Sequence, residues 1–290
     1  MRPDDQTNQA FLYCLGEAAE RFGIELLGWL AMSNHYHAVV HDPQGKLPEF
    51  ACHFHQMLAK ALNARFSRWE NFWSCEPPTY TLLVEPADVF AKLIYVLLNP
   101  VTAHLTDSVL DWPGASSWSL HEGRELVVSR PKFFFREDGP MPKTVTLRTT
   151  VPPHVSATAR DWHRRLRAAV EDAELELRNH RLTNGISLLG RNAVRRTSAF
   201  DAPTTPAPRR NLRPFIACKN MWSRLAALDA LDRFRIAYRH AREAFVRGAR
   251  DVLFPPGTFA LRRFGALCAA RVDDVFHTPP GGALRANAAY

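Results

Sequence analysis

The chain has 290 residues, 46% of them hydrophobic, which is enough to bury a sizeable core and to form two domains. No apolar run approaches the roughly 20 residues that a membrane-spanning helix needs, and residues 1–5 are too polar and acidic for a secretory signal. The net charge is +8, and the five cysteines are widely spaced without a CxxC pair, which argues against a zinc site or a disulfide framework and favours a reducing, cytoplasmic compartment.

The first part of the sequence predicts a helix followed by a β-hairpin. Apolar residues recur at helical spacing over residues 5–22. Residues 24–32 form a long apolar run that is typical of a buried strand. A turn at Ser33 and Asn34 then leads into a second strand, residues 35–41, which runs back beside the first.

The next segment predicts two more helices with a short strand between them. Residues 47–72 have the apolar spacing of an amphipathic helix, and residues 80–84 predict the strand. The last helix begins near residue 86 and is ended or kinked by Pro100. The order helix, strand, strand, helix, strand, helix predicts an α+β fold, in which an antiparallel sheet carries helices on one face.

The rest of the chain differs from the first 120 residues in its predicted secondary structure and in its charge. Residues 121–155 are proline-rich and predict an irregular linker, and residues 156–290 predict a basic, mainly helical region with helices near 156–180 and 219–248. Residues 1–120 carry 7 Lys and Arg against 13 Asp and Glu, whereas residues 121–290 carry 30 against 16. A strongly basic half indicates an anionic polymer as partner, because phosphate neutralisation provides most sequence-independent affinity for nucleic acid. An arginine-rich surface that only aids solubility is the alternative.

Arginines of the basic half are the candidate DNA contacts. They include the doublets Arg209-Arg210 and Arg262-Arg263, and a further series spaced along residues 224–250 that could form a helical stripe against phosphates. A solvated helix face is the competing interpretation of that stripe. The aromatic residues Trp222, Phe234 and Phe245 are predicted to be core residues rather than base-stacking platforms.

The first motif with chemical meaning is His35-Tyr36-His37. Residues two apart on a strand project from the same face, so both imidazoles can reach one cation. A second copy of the pattern, at His53 and His55, falls on a helix, where such residues diverge by about 200° and cannot share an ion. We expect one histidine of that second pair to pack and the other to be solvated.

The second motif is the polar pair Tyr95 and Asn99 on an otherwise apolar helix. Residues four apart lie on one helical face and need polar partners if they are buried. A phenol hydroxyl is a weak nucleophile at neutral pH unless a metal ion or a base lies beside it. From these residues alone, a core tyrosine and a cap asparagine before Pro100 are the simpler interpretation.

Three motifs follow one another in order along residues 5–120. Residues 32–37 read MSNHYH, residues 95–101 read YVLLNPV, and residues 112–118 read WPGASSW. Together they resemble the REP-associated tyrosine transposases, single-tyrosine HUH endonucleases named for their histidine, hydrophobic residue, histidine motif. Nothing comparable is found in residues 121–290.

The resemblance implies a ferredoxin-like antiparallel sheet and DNA strand transfer. His35 and His37 would hold a divalent ion, Mg or Mn, with the side-chain oxygen of Asn99 as a third ligand. Tyr95 would attack a phosphodiester, giving a 5′-phosphotyrosine and a free 3′ hydroxyl. The substrate would be single-stranded or hairpin DNA, bound by a monomer or homodimer at the nucleoid.

One departure from the family affects the expected sheet. Family members usually begin with a further strand that lies centrally in the sheet, whereas this chain starts almost at the first helix. Either translation starts upstream of Met1, or the sheet lacks this strand, which would leave unpaired backbone groups along a sheet edge and lower the stability.

Three other functions remain open. A non-catalytic DNA-hairpin-binding protein descended from a transposase would keep recognition without cleavage. A replication-initiator or relaxase nickase shares the histidine pair, but the Asn-Pro-Val and Pro-x-x-Ser-Ser segments argue against it. A metal-dependent hydrolase would need further histidine or carboxylate ligands, and the sequence offers no such cluster.

Overall fold

A computed structural model describes residues 1–153, 155, 157–198 and 214–269, and these residues form an α+β fold, as predicted. The helices are α1 (Asp5–Phe22), α2 (Leu47–Arg65), α3 (Pro86–Thr102), α4 (Ala159–Thr183), α5 (Arg191–Arg196) and α6 (Met221–Val246). The strands are β1 (Glu25–Ala31), β2 (Tyr36–His41), β3 (Leu82–Leu83), β4 (Leu126–Ser129), β5 (Thr144–Leu147), β6 (Ile216–Ala217), β7 (Leu253–Phe254) and β8 (Leu267–Cys268).

The strands pair two by two rather than in one antiparallel sheet. β1–β2 and β4–β5 are antiparallel hairpins, whereas β3–β6 and β7–β8 are parallel pairs. β3 was expected to extend the β1–β2 sheet, but it pairs with β6, which lies far along the chain, beyond α5. Such short strands cannot carry an alternating pattern, so this pairing left no signal in the sequence.

Helices cover both faces of the β1–β2 hairpin, which corrects the prediction of helices on one face. A bulge lies between Leu26 and Gly28, where the register with β2 shifts. Trp29 packs in one core with α1 and α2, while Leu30 and Val39 pack in the other with α3 and α4. β1 is therefore buried on both sides, which explains why its sequence is a continuous apolar run rather than an alternating one.

The second edge of β1 is paired, contrary to the expectation of unpaired backbone groups. Leu30 forms an antiparallel bridge with Ser116, and the N–H of Ala31 donates to the carbonyl oxygen of Ala115 at 2.8 Å. Further along the same edge, the N–H of Thr150 donates to the Leu26 carbonyl oxygen at 2.8 Å. The Pro-x-x-Ser-Ser segment thus occupies the place beside β1 where a neighbouring strand would lie.

Residues 121–155 were predicted to form an irregular linker, but part of this segment forms strands. They contain the β4–β5 hairpin, whose Val145 and Leu147 side chains are buried against α1. The fit is close, since a Cβ atom added to Gly16 of α1 would lie 2.8 Å from Val145 Cγ2. The segment completes the core that α1, α2 and β1 begin.

The expected domain boundary at residue 120 does not divide the hydrophobic cores. Trp162, Leu166 and Val170 of α4 pack in the same cluster as Leu93 and Leu97 of α3. The helices α4 and α6 match the two predicted helical stretches closely. The first part of the basic region therefore supports α3 directly.

The side chain of Trp222 was expected in the core, but it is 71% exposed in the first turn of α6.

Among the described helices, none is both long enough and apolar enough to cross a membrane.

Candidate active site

His35 and His37 come together at the turn end of the β1–β2 hairpin, on the face that α3 covers. His37 pairs with Leu30, whose side chain packs toward α3, so His37 projects toward the same helix. The Nε2 atoms of His35 and His37 lie 3.1 Å apart. Tyr36, between them, points to the opposite core, where its hydroxyl is 2.6 Å from His55 Nε2.

Asn99 of α3 is the third member of this group. Its side-chain nitrogen lies 3.3 Å from His37 Nε2, and the Nδ1 atom of His35 lies 2.7 Å from Asn34 Oδ1. With Asn34 Oδ1 as the acceptor, His35 donates from Nδ1 and presents a lone pair from Nε2. His37 Nε2 would then have to donate to His35 and accept from Asn99, which one nitrogen cannot do at once.

A cation between the rings would accept the Nε2 lone pairs of both histidines, so that neither nitrogen would need to donate. Two nitrogens bound at a right angle, each about 2.1 Å from one ion, are about 3.0 Å apart, close to the observed separation. Flipping the Asn99 amide exchanges its nitrogen and oxygen, which are interchangeable in assignment. The Asn34 contact resembles the outer-shell bond that commonly orients a ligating histidine. The residues therefore fit a divalent ion with the ligands His35, His37 and Asn99.

The electrostatic setting keeps both imidazoles neutral, which is the form that binds a metal ion. Desolvation, with smaller effects from His35 and Lys92, lowers the pKa of His37 to about 4. Desolvation also lowers the pKa of His35 below its ordinary value. Both side chains are thus available as ligands at neutral pH.

Tyr95 lies on the same face of α3 as Asn99, one turn earlier. The centres of the Tyr95 and His37 rings are 5.8 Å apart, and the Tyr95 side chain is 51% exposed. The ammonium nitrogen of Lys92 lies 4.6 Å from the centre of the Tyr95 ring. The tyrosine is therefore beside the histidine pair and accessible from solvent, rather than the core residue that its apolar helix suggested.

The position of α3 against the hairpin depends on Gly28. A Cβ atom at this residue would lie 2.6 Å from the Cδ2 atom of Leu93, a side chain that is fully buried. The absence of a side chain lets α3 approach β1 closely, and α3 carries Tyr95 and Asn99. Pro100 is tolerated inside this helix, which ends soon afterwards at Thr102.

The second histidine pair does not form a joint site. His53 Nε2 is 2.6 Å from Glu17 Oε2, and His55 Nε2 is 2.6 Å from the Tyr36 hydroxyl. The two imidazoles point to different partners, in keeping with the divergence expected on a helix. Both are half-buried, so the expectation that one of them is solvated is wrong.

A buried polar chain behind β1 was missed by sequence reasoning. The Ser117 hydroxyl lies 3.3 Å from His121 Nε2, and His121 Nδ1 lies 3.4 Å from His163 Nδ1. Desolvation first, and then His163 and Arg167, lower the pKa of His121 to about 3. Ser117 is in the Pro-x-x-Ser-Ser motif, but His163 lies much further along the chain, on α4, and no sequence spacing links the two histidines.

A separate group of potential metal ligands was also missed. Single ligand atoms of Glu85, Asp88 and Cys218 lie within 4.8 Å of one another, so this group could hold a metal ion. The two carboxylates already form the capping box of α3, and Glu85 Oε1 also accepts a hydrogen bond from the Ser223 hydroxyl at 2.7 Å. The group therefore joins the start of α3 to the start of α6.

The arginine doublets are not brought to the histidine site by any described contact. Arg209 and Arg210 lie outside the described residues. Arg262 and Arg263 lie in a 3₁₀ turn, with their guanidinium carbons 4.7 Å from the ring centres of Phe259 and Phe264 respectively. Their predicted contact with DNA stays a prediction.

A scan against protein-family models and searches of curated proteins and of solved structures find no match to this chain. Any functional assignment therefore depends on the motifs and on the geometry described above.

Proposed function

We propose that the protein is a metal-dependent tyrosine DNA transposase, related to the REP-associated tyrosine transposases, that cleaves and rejoins single-stranded or hairpin DNA. The observation that carries this proposal is the convergence of His35, His37 and Asn99, with the accessible phenol of Tyr95 beside them. The β1–β2 hairpin with its helices would then be a modified ferredoxin-like HUH fold, in which the Ser116 segment replaces a strand. Such an activity implies a protein that works at the nucleoid.

In this function Tyr95 is the nucleophile. Its hydroxyl oxygen bonds to the phosphorus while the bond from phosphorus to the 3′ oxygen breaks, giving a 5′-phosphotyrosine. The phenol proton passes to solvent, and the departing oxygen takes up a proton to become a 3′ hydroxyl. The phosphodiester energy is kept, so the 3′ hydroxyl of a second strand can later displace Tyr95.

The other residues orient the reacting groups. His35, His37 and Asn99 would hold Mg or Mn, and a bound divalent ion supplies charge stabilisation at the scissile phosphate. Asn34 fixes the His35 ring through its Nδ1 contact. Lys92 adds positive charge beside Tyr95, where the phosphate must lie for attack.

The test is the formation of a covalent adduct. The full chain is incubated with Mn and a 3′-labelled DNA hairpin whose single-stranded flanks are randomised, and the products are separated on a denaturing protein gel. We expect a labelled band at the position of the protein, which disappears with Tyr95→Phe and with His37→Ala. Tyr80→Phe is the matched control and should leave the band unchanged.

The outcomes separate this proposal from simple DNA binding. A labelled band that survives Tyr95→Phe would refute Tyr95 as the nucleophile. A hairpin that binds without any adduct, in the wild type and the variants alike, would favour the non-catalytic hairpin-binding protein instead.

A further inference from the structure

An open groove of about 410 Å³ lies between α3 and the residues that precede and begin α6. The parallel pairing of β3 with β6 forms its floor. The N–H of Lys219 donates to Asp88 Oδ1 at 2.9 Å, which, with the bond between Ser223 and Glu85, holds the two helix starts together. Tyr95 lines the groove, so the groove leads to the exposed phenol.

Three cations line this groove: Lys92 of α3, and Lys219 and Arg224 from the C-terminal region. In the part of the chain that the structure describes, none of the three lies within salt-bridge distance of a carboxylate. Arginines further along α6 differ, because Arg233 pairs with Asp229 at 2.8 Å and Arg247 pairs with Glu243 at 3.7 Å. No carboxylate therefore neutralises the groove cations, which can bind an external anion.

The acidic and thiol groups of the groove do not offset these cations at its surface. Asp88 is 6% exposed, and its two oxygens accept hydrogen bonds from the backbone N–H groups of Glu85 and Lys219. Burial and the nearby Asp88 raise the pKa of the Cys218 thiol to about 11, so it carries no charge at neutral pH. The accessible charge in the groove is positive.

We propose that this groove binds the backbone phosphates of a DNA single strand through Lys92, Lys219 and Arg224, and so guides that strand to Tyr95. The inference rests on the proposed function in taking Tyr95 as the reacting group. A space of this volume admits nucleotides of one strand, as drug-sized ligand sites do, but not a duplex.

The experiment measures binding of a fluorescein-labelled oligo(dT) to the full chain by anisotropy, in EDTA so that no cleavage occurs, over a series of salt concentrations. We expect the double variant Lys219→Gln and Arg224→Gln to weaken binding on the order of tenfold at low salt. The slope of log K against log salt should become less steep by about 1.4, because each phosphate that is no longer neutralised accounts for about 0.7. Both side chains are exposed, so the fold should tolerate the changes.

The control is the double variant Arg233→Gln and Arg247→Gln, which removes the same charge from α6 and its C-terminal cap, outside the groove. We expect its affinity to stay within about twofold of wild type. An equal loss in the control, or an unchanged salt slope in the groove variant, would overturn the proposal. The proposal would also be overturned if inorganic phosphate displaced the oligonucleotide more strongly than chloride does at equal ionic strength. In that case the groove would bind an isolated anion rather than a DNA strand.

The adduct assay distinguishes failure of this inference from failure of the proposed function. Groove-dependent binding without any adduct in the wild type would retain the inference and reject the tyrosine chemistry. A normal adduct yield with unchanged binding in the groove variant would retain the chemistry and reject the groove.

Discussion

Trp29 and Ser117 are joined by two hydrogen bonds in the buried centre of the molecule. The N–H of Ser117 donates to the carbonyl oxygen of Trp29 at 3.0 Å, and the N–H of Trp29 donates to the Ser117 hydroxyl oxygen at 3.0 Å. This contact replaces strand pairing along the edge of β1. The serine side chain therefore acts as part of the sheet.

Replacing Ser117 with alanine should destabilise the protein. The change leaves the Trp29 N–H buried without its acceptor, which costs about 1–3 kcal/mol. The measurement is the free energy of unfolding from urea denaturation. Ser119→Ala is the control, because Ser119 is exposed and close by in the chain. Equal stability of the two variants would show that the Trp29 contact contributes little.

Gly28→Ala should also lower stability and should reduce adduct formation. The new Cβ atom would lie 2.6 Å from Leu93 Cδ2 in a packed core, and overpacking of this kind costs about 1–3 kcal/mol. To relieve the clash, α3 must move away from β1, which takes Tyr95 and Asn99 away from the histidines. The urea midpoint and the adduct yield of the variant report the two effects.

The double variant Gly28→Ala with Leu93→Ala is the control for this clash. Leu93→Ala removes the atom that the new Cβ meets, so the two changes together should cost less than the sum of their separate costs. Strict additivity would mean that the Gly28 position acts through something other than contact with Leu93.

The local elements of the fold could be predicted from the sequence, whereas the distant pairings could not. Helical spacing and the Ser33 turn predicted α1, β1, β2 and α3, because hydrophobic periodicity and turn chemistry act over a few residues. The alternation of Val145 and Leu147 with threonines was a usable strand signal, but the prolines around it favoured an irregular segment.

The candidate site, too, has residues that local sequence identifies and residues that only long-range packing brings in. His35, His37, Tyr95 and Asn99 are all within motifs, so local pattern and resemblance identified them. Lys219 and Arg224 reach the groove only because β6 pairs with β3, and this pairing joins distant parts of the chain without any periodic signal. Long-range packing of that kind is set by the whole fold and not by local sequence.

Binding of Mn should depend on His35 and His37 and not on other histidines of the same hairpin. Loss of one ligating imidazole should weaken Mn affinity at least about tenfold, since even outer-shell changes cost about 10–100-fold. Affinity can be measured from the free Mn signal in electron paramagnetic resonance. His41→Ala is the matched control on β2, since His41 is paired with Glu25 at 2.8 Å.

The Mn measurement also tests the second group of possible ligands. If His35→Ala and His37→Ala bind Mn as the wild type does, while Asp88→Ala does not, the ion is held by the Glu85, Asp88 and Cys218 group instead. That result would remove the metal from the vicinity of Tyr95.

The buried histidine His121 should make the protein sensitive to acid. Its pKa is about 3 in the folded chain, against an ordinary value of 6.5. As the pH falls below about 6.5, the unfolded chain therefore takes up a proton that the folded chain still excludes. Stability is fully present above this range and is lost as the pH falls from about 6.5 toward 3, at roughly 1.4 kcal/mol per pH unit for one proton.

The variant His121→Gln keeps a polar side chain but cannot titrate, so its unfolding free energy should fall less steeply in this window. Urea denaturation at several pH values measures the two slopes, and the difference between them isolates the histidine from the carboxylates, which titrate in both proteins. His180→Gln, at an exposed position on α4, should retain the wild-type slope. If His121→Gln has the wild-type slope as well, protonation of His121 does not drive acid unfolding, and another group must be responsible.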